Sequence, residues 1–267
     1  MSLYDMFAAS EHGKGLASQV RYARYKPEGI TSNYWLQILG PDVCNLMHML
    51  VMLGITKEFV VSCGGDSRNG YVRFTRKEQH ILQLVAVTHD FGEAVIGDIT
   101  ADKKTLANEH EEMQHLERIL LELSASDNGL ISRDEISQIL NVLSDKTSKL
   151  GHAFNIIERL GYLATAIQAW NSSLKVEMYG EGLCVNFKWL VSNVLGNQIC
   201  KILDASWLYP MAQTFLDRHF GLISQAFDEM PEMIFDLYSD QEDRILNSAK
   251  FRASKEAWDL FCKNYSP

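Results

Sequence analysis

Proline is scarce in this 267-residue sequence, five in all, and glycine stops at 17, so long flexible linkers are not expected and one body is the default organisation. The cysteines, Cys44, Cys63, Cys184, Cys200 and Cys262, are odd in number and contain no C-x-x-C pair. That suggests neither a zinc ribbon nor a disulfide framework and favours reduced thiols. No apolar run approaches the ~20 residues needed to span a bilayer. The opening MSLYDMFAAS carries no basic segment followed by an apolar stretch, so it does not read as a signal peptide, and a cytoplasmic location is expected. Basic residues are outnumbered, 25 against 34 acidic, for a net charge of −9. With no basic patch to overcome that field, neither a long nucleic acid nor an anionic membrane is an expected partner. A phosphate-bearing substrate would need a metal cation or a few arginines beside it.

What the sequence does contain is helical periodicity. Apolar residues recur at 3.6-residue spacing from about residue 32 onward and strand-like alternation is rare, which predicts an all-α fold. Thr75 with Glu78, Ser132 with Glu135, and Ser239 with Glu242 each fit S/T-x-x-E, in which hydroxyl and carboxylate reciprocally satisfy the free N–H groups of a helix start. Helices are expected from Gly40-Pro41 to Leu53 and from Thr75 to about His89, with a loop around 62–70 between them. Further helices are expected near 103–123, 132–144, 151–171, 183–203, 206–227 and 240–263. The aromatic and methionine residues beyond 183, among them Trp189, Trp207, Met211 and Trp258, read as core and dimer-interface packing.

The chemistry-bearing stretch is THDFGEAVIGDIT, residues 88–100, which places His89, Asp90, Glu93 and Asp98 at the end of an apolar helix and in the turn after it. Burying charge without a partner is costly. An adjacent imidazole and carboxylate form a ligand pair suited to a borderline divalent metal, and Glu93, four residues after His89, shares its face if the helix continues.

These residues resemble the HD-domain phosphohydrolases, and within them the bacterial 5′-deoxynucleotidase branch, which carries an H…HD…D metal set and the pattern HD-x-x-E-x-x-x-G-D-[IL]. Here residues 89–99 read HDFGEAVIGDI, NLMHMLVML places His48 41 residues before His89, and ERLGYLATAIQA resembles the branch's D-[RK]-L-x-x-L-x-x-A helix. Glu158 stands where the family has Asp, and GPDVCNLMH replaces the usual E-x-V-x-E-H approach to the first histidine. The resemblance covers about 35–170, leaving 171–267 as a C-terminal helical extension of a single all-α domain.

The resemblance implies one divalent metal, manganese, cobalt, iron, nickel, zinc or magnesium, held by His48, His89, Asp90 and Glu158, with Asp145 as a substitute carboxylate. It implies Glu93 and Asp98 as acid/base groups, Arg21 or Arg24 as the phosphate-binding arginine, a nucleoside monophosphate substrate and a homodimer. Two alternatives stay open: triphosphohydrolysis of deoxynucleoside triphosphates, and nucleotide binding without catalysis at a weakened metal site. A two-metal oxygenase would need His110 or His115, which are five apart and so lie on different helix faces. The calcium-loop spacing of residues 124–135 has serines where anionic ligands belong, and reads better as a turn into the helix begun by Ser132.

Overall fold

The computed structural model describes residues 2–40, 44–63, 70–97, 99, 104–125, 131–175 and 181–264. The described residues form an all-α fold, with helices α1 (Leu3–Ala9), α2 (Glu11–Ser18), α3 (Ser32–Leu39), α4 (Asn45–Ser62), α5 (Arg76–Thr88), α6 (Glu93–Ile96), α7 (Leu106–Ala125), α8 (Arg133–Ser144), α9 (Lys149–Ser173), α10 (Glu181–Ser206), α11 (Pro210–Glu229) and α12 (Gln241–Asn264). Short 3₁₀ turns cover Ala23–Tyr25 and Glu232–Leu237. The β-pairing present among the described residues is an isolated antiparallel bridge between Val20 and Cys44. No described helix is long and apolar enough to cross a membrane.

Two of the expected capping boxes form. Thr75 and Ser132 each accept from the backbone N–H of Glu78 and Glu135, and each glutamate reaches back to its cap residue. The third does not: Asp240 Oδ1, one residue on, accepts from the N–H of Glu242 at 2.7 Å and of Asp243 at 3.2 Å. A carboxylate competing with the neighbouring Ser hydroxyl for the same donors adds a charge that the positive helix start favours. The N-terminal helices α1 and α2 lie before the periodicity that was legible from residue 32, and α1 opens on a capping box of its own, Ser2 with Asp5. The helix expected to end at Leu53 runs through Gly54 to Ser62.

The chain divides into two compact units, each assembled from three stretches, with the division inside α9 between Ile157 and Glu158. The first contains residues 1–22, 40–60 and 74–157. There α5 packs on α8, α7 packs on α6 and α8, and α2 packs on α1 and α6. Its core is apolar and fully enclosed at Phe7, Leu16, Met49, Met52, Leu82, Val85 and Phe91, each worth roughly 1.5–3 kcal/mol when withdrawn from water. Phe7 stacks on Phe91 with ring planes 9° apart, which ties α1 to the turn that follows α5.

The second unit contains 23–39, 61–73 and 158–267. Helix α10 packs along α12 and against α11, with Trp35 stacked on Phe187 and an aromatic cluster of Phe227, Phe251 and Trp258 at its centre. Met211 and Trp258 are buried as expected, whereas Trp207 stands 81% exposed. Trp207 lies directly after the last residue of α10, where the chain turns.

Candidate metal centre

Helix α5 buries Ile81, Leu82, Val85, Ala86 and Val87 and delivers its end into the core of the first unit. His89 keeps helical backbone angles (φ −55°, ψ −34°) and its N–H still reaches the Val85 carbonyl at 2.9 Å. The chain then turns and restarts as α6, which Gly97 ends at φ +83°, a conformation that glycine adopts without the clash a side chain would meet. His89, Asp90 and Glu93 are thereby fixed inside the core, each less than a tenth exposed. His48 arrives from the first turns of α4, equally buried, with its ring 5.5 Å from that of His89.

His48, His89 and Asp90 each offer a ligand atom, and these atoms all lie within 4.8 Å of one another, so the group could hold a metal ion. The hydrogen bonding of His89 sharpens that. Its Nδ1 lies 3.1 Å from the Ala86 carbonyl, which can only accept, so Nδ1 carries the proton. The lone pair of Nε2 then points toward Asp90 Oδ1, 3.2 Å away. A lone pair and a carboxylate oxygen face each other stably only with a cation at hand, either a second proton or a metal. A backbone carbonyl bracing the far nitrogen is also how metal-ligating histidines are usually oriented. The edge of Phe154 closes the other side of the His89 ring, with centroids 5.4 Å apart.

The second oxygen of Asp90 accepts from Arg21 Nη1 at 2.9 Å, with both groups buried. Burial alone would raise the Asp90 carboxyl, but its surroundings of His89, Arg21, His48 and Lys104 outweigh it and hold the carboxyl below its ordinary range. Arg21 is delivered by the Val20–Cys44 bridge, and Tyr22 immediately after it has a left-handed backbone (φ 59°) that turns the chain away.

Glu93 is held from two sides. Asn45 Nδ2 donates to Glu93 Oε2 at 2.9 Å, and Gln19 Nε2 donates to the Glu93 carbonyl at 3.0 Å. Beside this turn lies a half-buried ion pair between Lys104 and Glu112. Burial works against the Lys104 charge, yet Glu112, Glu93 and Asp90 together hold its pKa above the ordinary value. The pair is docked against Gly92, where an added Cβ would meet the Glu112 carbonyl oxygen at 2.4 Å. Gly92→Ala is therefore expected to force α7 away from the turn at a cost of about 1–3 kcal/mol, read as a lowered midpoint in thermal unfolding. An unchanged midpoint would mean that the approach is looser than these distances indicate.

Glu158 lies on α9 in the second unit and does not belong to the group formed by His48, His89 and Asp90. Arg24 also belongs to the second unit, where its guanidinium sits 5.5 Å from the Trp189 ring and 5.1 Å from that of Tyr238, with Asp243 at 3.9 Å. Asp145 is exposed and is engaged at the end of α8, its Oδ1 accepting from the Thr147 N–H at 3.0 Å. His110 bonds Gln114 and His115 faces Glu111, and neither forms a metal-binding group among the described residues. Asp98 and residues 126–130 of the calcium-like loop lie outside the described residues.

Sequence reasoning missed Asn45, Gln19, Lys104 and Glu112. Asn45 left a signal: it is a polar residue in the otherwise apolar NLMHMLVML, three positions before His48 and thus on the same helical face. No family model, no curated protein and no solved structure matches this chain.

Proposed function

We propose that the chain is a divalent-metal-dependent phosphohydrolase that cleaves nucleoside 5′-monophosphates to nucleoside and phosphate, as its resemblance to the HD-domain proteins implies. The observation that carries this reading is the buried His48, His89 and Asp90 group, with Arg21 on the outer oxygen of Asp90 and a buried carboxylate, Glu93, three residues away. Two imidazoles and one carboxylate form a mixed N/O donor set that suits manganese, iron, cobalt, nickel or zinc better than the all-oxygen preference of magnesium. A divalent ion bound there would polarise the phosphoryl oxygens and lower the pKa of a coordinated water.

The protein's own groups do the rest. Glu93 takes a proton from the attacking water as its oxygen bonds to phosphorus, and the bond from phosphorus to the 5′ oxygen breaks. Asp98, assigned from the sequence pattern, returns a proton to that leaving oxygen. Arg21, the candidate phosphate-binding arginine of the resemblance, is the cation beside Asp90, and Arg21→Gln is expected to raise KM more than it lowers kcat.

The test is a screen of nucleoside mono-, di- and triphosphates against the divalent metals, with products identified by phosphorus NMR. Metal-dependent release of orthophosphate from monophosphates is the expected outcome. Release of inorganic triphosphate would transfer the reading to the triphosphohydrolase alternative. Nucleotide binding without turnover under every metal would overturn it in favour of a non-catalytic role.

A further inference from the structure

We propose that Asn45, braced by Gln19, is the positioning residue for Glu93, setting the aim of its carboxylate. The proposal rests on the reading of Glu93 as the group that receives the proton of the attacking water.

The geometry matches donors to acceptors. Asn45 Nδ2 donates to Glu93 Oε2 at 2.9 Å and to Gln19 Oε1 at 3.3 Å. Both partners are acceptors, so the Asn45 amide has one sensible orientation, since the flipped one would turn its carbonyl toward two other oxygens. The same logic fixes Gln19, whose oxygen faces Asn45 while its Nε2 donates to the Glu93 carbonyl at 3.0 Å. Glu93 is thus gripped at its side chain and at its main chain by one pair of amides. The pair is assembled by the Val20–Cys44 bridge and by the Asn45 N–H reaching the Gln19 carbonyl at 3.4 Å.

Asn45 also lies one turn before His48 on α4, so the carboxylate and the first imidazole of the metal group are referenced to the same rigid helix. An amide N–H needs an acceptor opposite it, so the bond from Asn45 fixes which carboxylate oxygen of Glu93 faces α4 and leaves Oε1 as the other edge. Packing alone does not select this residue. Asn45 is fully buried, and its Oδ1 has no hydrogen-bond partner among the described residues, a penalty that an isosteric leucine would not incur.

The test is a double-mutant cycle between Asn45→Leu and Glu93→Gln, following turnover of deoxynucleoside 5′-monophosphates with manganese, together with bound-metal content. In Asn45→Leu, kcat is expected to fall roughly 10- to 150-fold, the span corresponding to one lost hydrogen bond to a charged group, while KM and metal content stay within about twofold. In the Glu93→Gln background the same substitution is expected to cause no further loss, because nothing remains to position. Wild-type kcat in Asn45→Leu would overturn the proposal, and so would an equal loss in both backgrounds, which is what a purely structural role produces. If Asn45→Leu does not fold, Asn45→Ala, which only removes atoms, is read in the same cycle against the same outcomes. Wild-type turnover in Glu93→Gln, or an inactive wild-type chain, would sink the reading of Glu93 itself and the positioning role with it. An active wild type with a crippled Glu93→Gln and an unaffected Asn45→Leu sinks the positioning role alone.

Discussion

If the proposed function holds, replacement of His89 by glutamine, or of Asp90 by asparagine, is expected to remove metal binding and the proposed phosphohydrolase turnover together. The three candidate ligands found among the described residues come from two places in the chain, His48 on α4 and the His89–Asp90 pair after α5, and each supplies one ligand atom to the group. Glutamine at 89 retains bulk and polarity but loses the imidazole lone pair that faces Asp90. Asparagine at 90 retains shape but loses the charge that a divalent ion needs and that Arg21 faces. Turnover should fall at least about 10³-fold in both, as expected when an essential part of a catalytic unit is removed. The two variants differ in stability. Asp90→Asn breaks a buried ion pair, a change that typically costs about 3–5 kcal/mol, whereas His89→Gln leaves that pair in place. Metal analysis of dialysed protein, turnover and thermal unfolding together separate loss of the centre from loss of the fold. A metal-replete, active His89→Gln protein would remove the basis for a metal centre at these residues.

The parts of this site that were legible in the sequence are those written locally. His89, Asp90 and Glu93 fall within five residues, and their spacing at the end of an apolar helix already implies a buried, charged turn. His48 was legible as an imidazole in an apolar helix whose partner had to be found elsewhere. The residues that the sequence left ambiguous are those set by tertiary adjacency. Arg21 and Arg24 are three apart and chemically alike, and spacing offers no choice between them. In the structure the left-handed Tyr22 turns the chain between them, leaving Arg21 on Asp90 in one unit and Arg24 among Trp189 and Tyr238 in the other.

Gln19 was illegible for the same reason. It reaches Glu93 across 74 positions of sequence, through a bridge of one residue pair that no periodicity announces. The caps show the complementary limit. Ser132 and Thr75 were legible because each stood alone at its helix start, whereas Ser239 was displaced by an equally competent Asp240 one position later. Periodicity identifies that a helix begins, and the competition among neighbouring side chains decides where.

Replacing Glu93 by glutamine is expected to leave the metal in place and remove most of the rate. Glu93 is not a member of the three-residue ligand group, and the amide keeps an oxygen that can still accept from Asn45 Nδ2, so the turn between α5 and α6 should hold its shape. The amide cannot take a proton. If that is the role of Glu93, kcat should fall about 10²- to 10⁴-fold, the usual contribution of a positioned general base, with KM nearly unchanged. The pH dependence adds a second readout. A general base must be ionised to act, so the wild-type rate falls toward acid as the base protonates, and the variant's residual rate should lack the limb that belongs to this group. Acid also weakens metal binding, because imidazole ligands must be deprotonated, so the comparison is made at saturating metal in both proteins. Loss of metal from Glu93→Gln would reassign the carboxylate as a ligand. Retention of metal with an undiminished rate would leave the centre standing and move the base elsewhere. Retained metal with a collapsed kcat would separate binding from proton transfer within a single turn of chain, His89 and Asp90 on one side of Gly92 and Glu93 on the other.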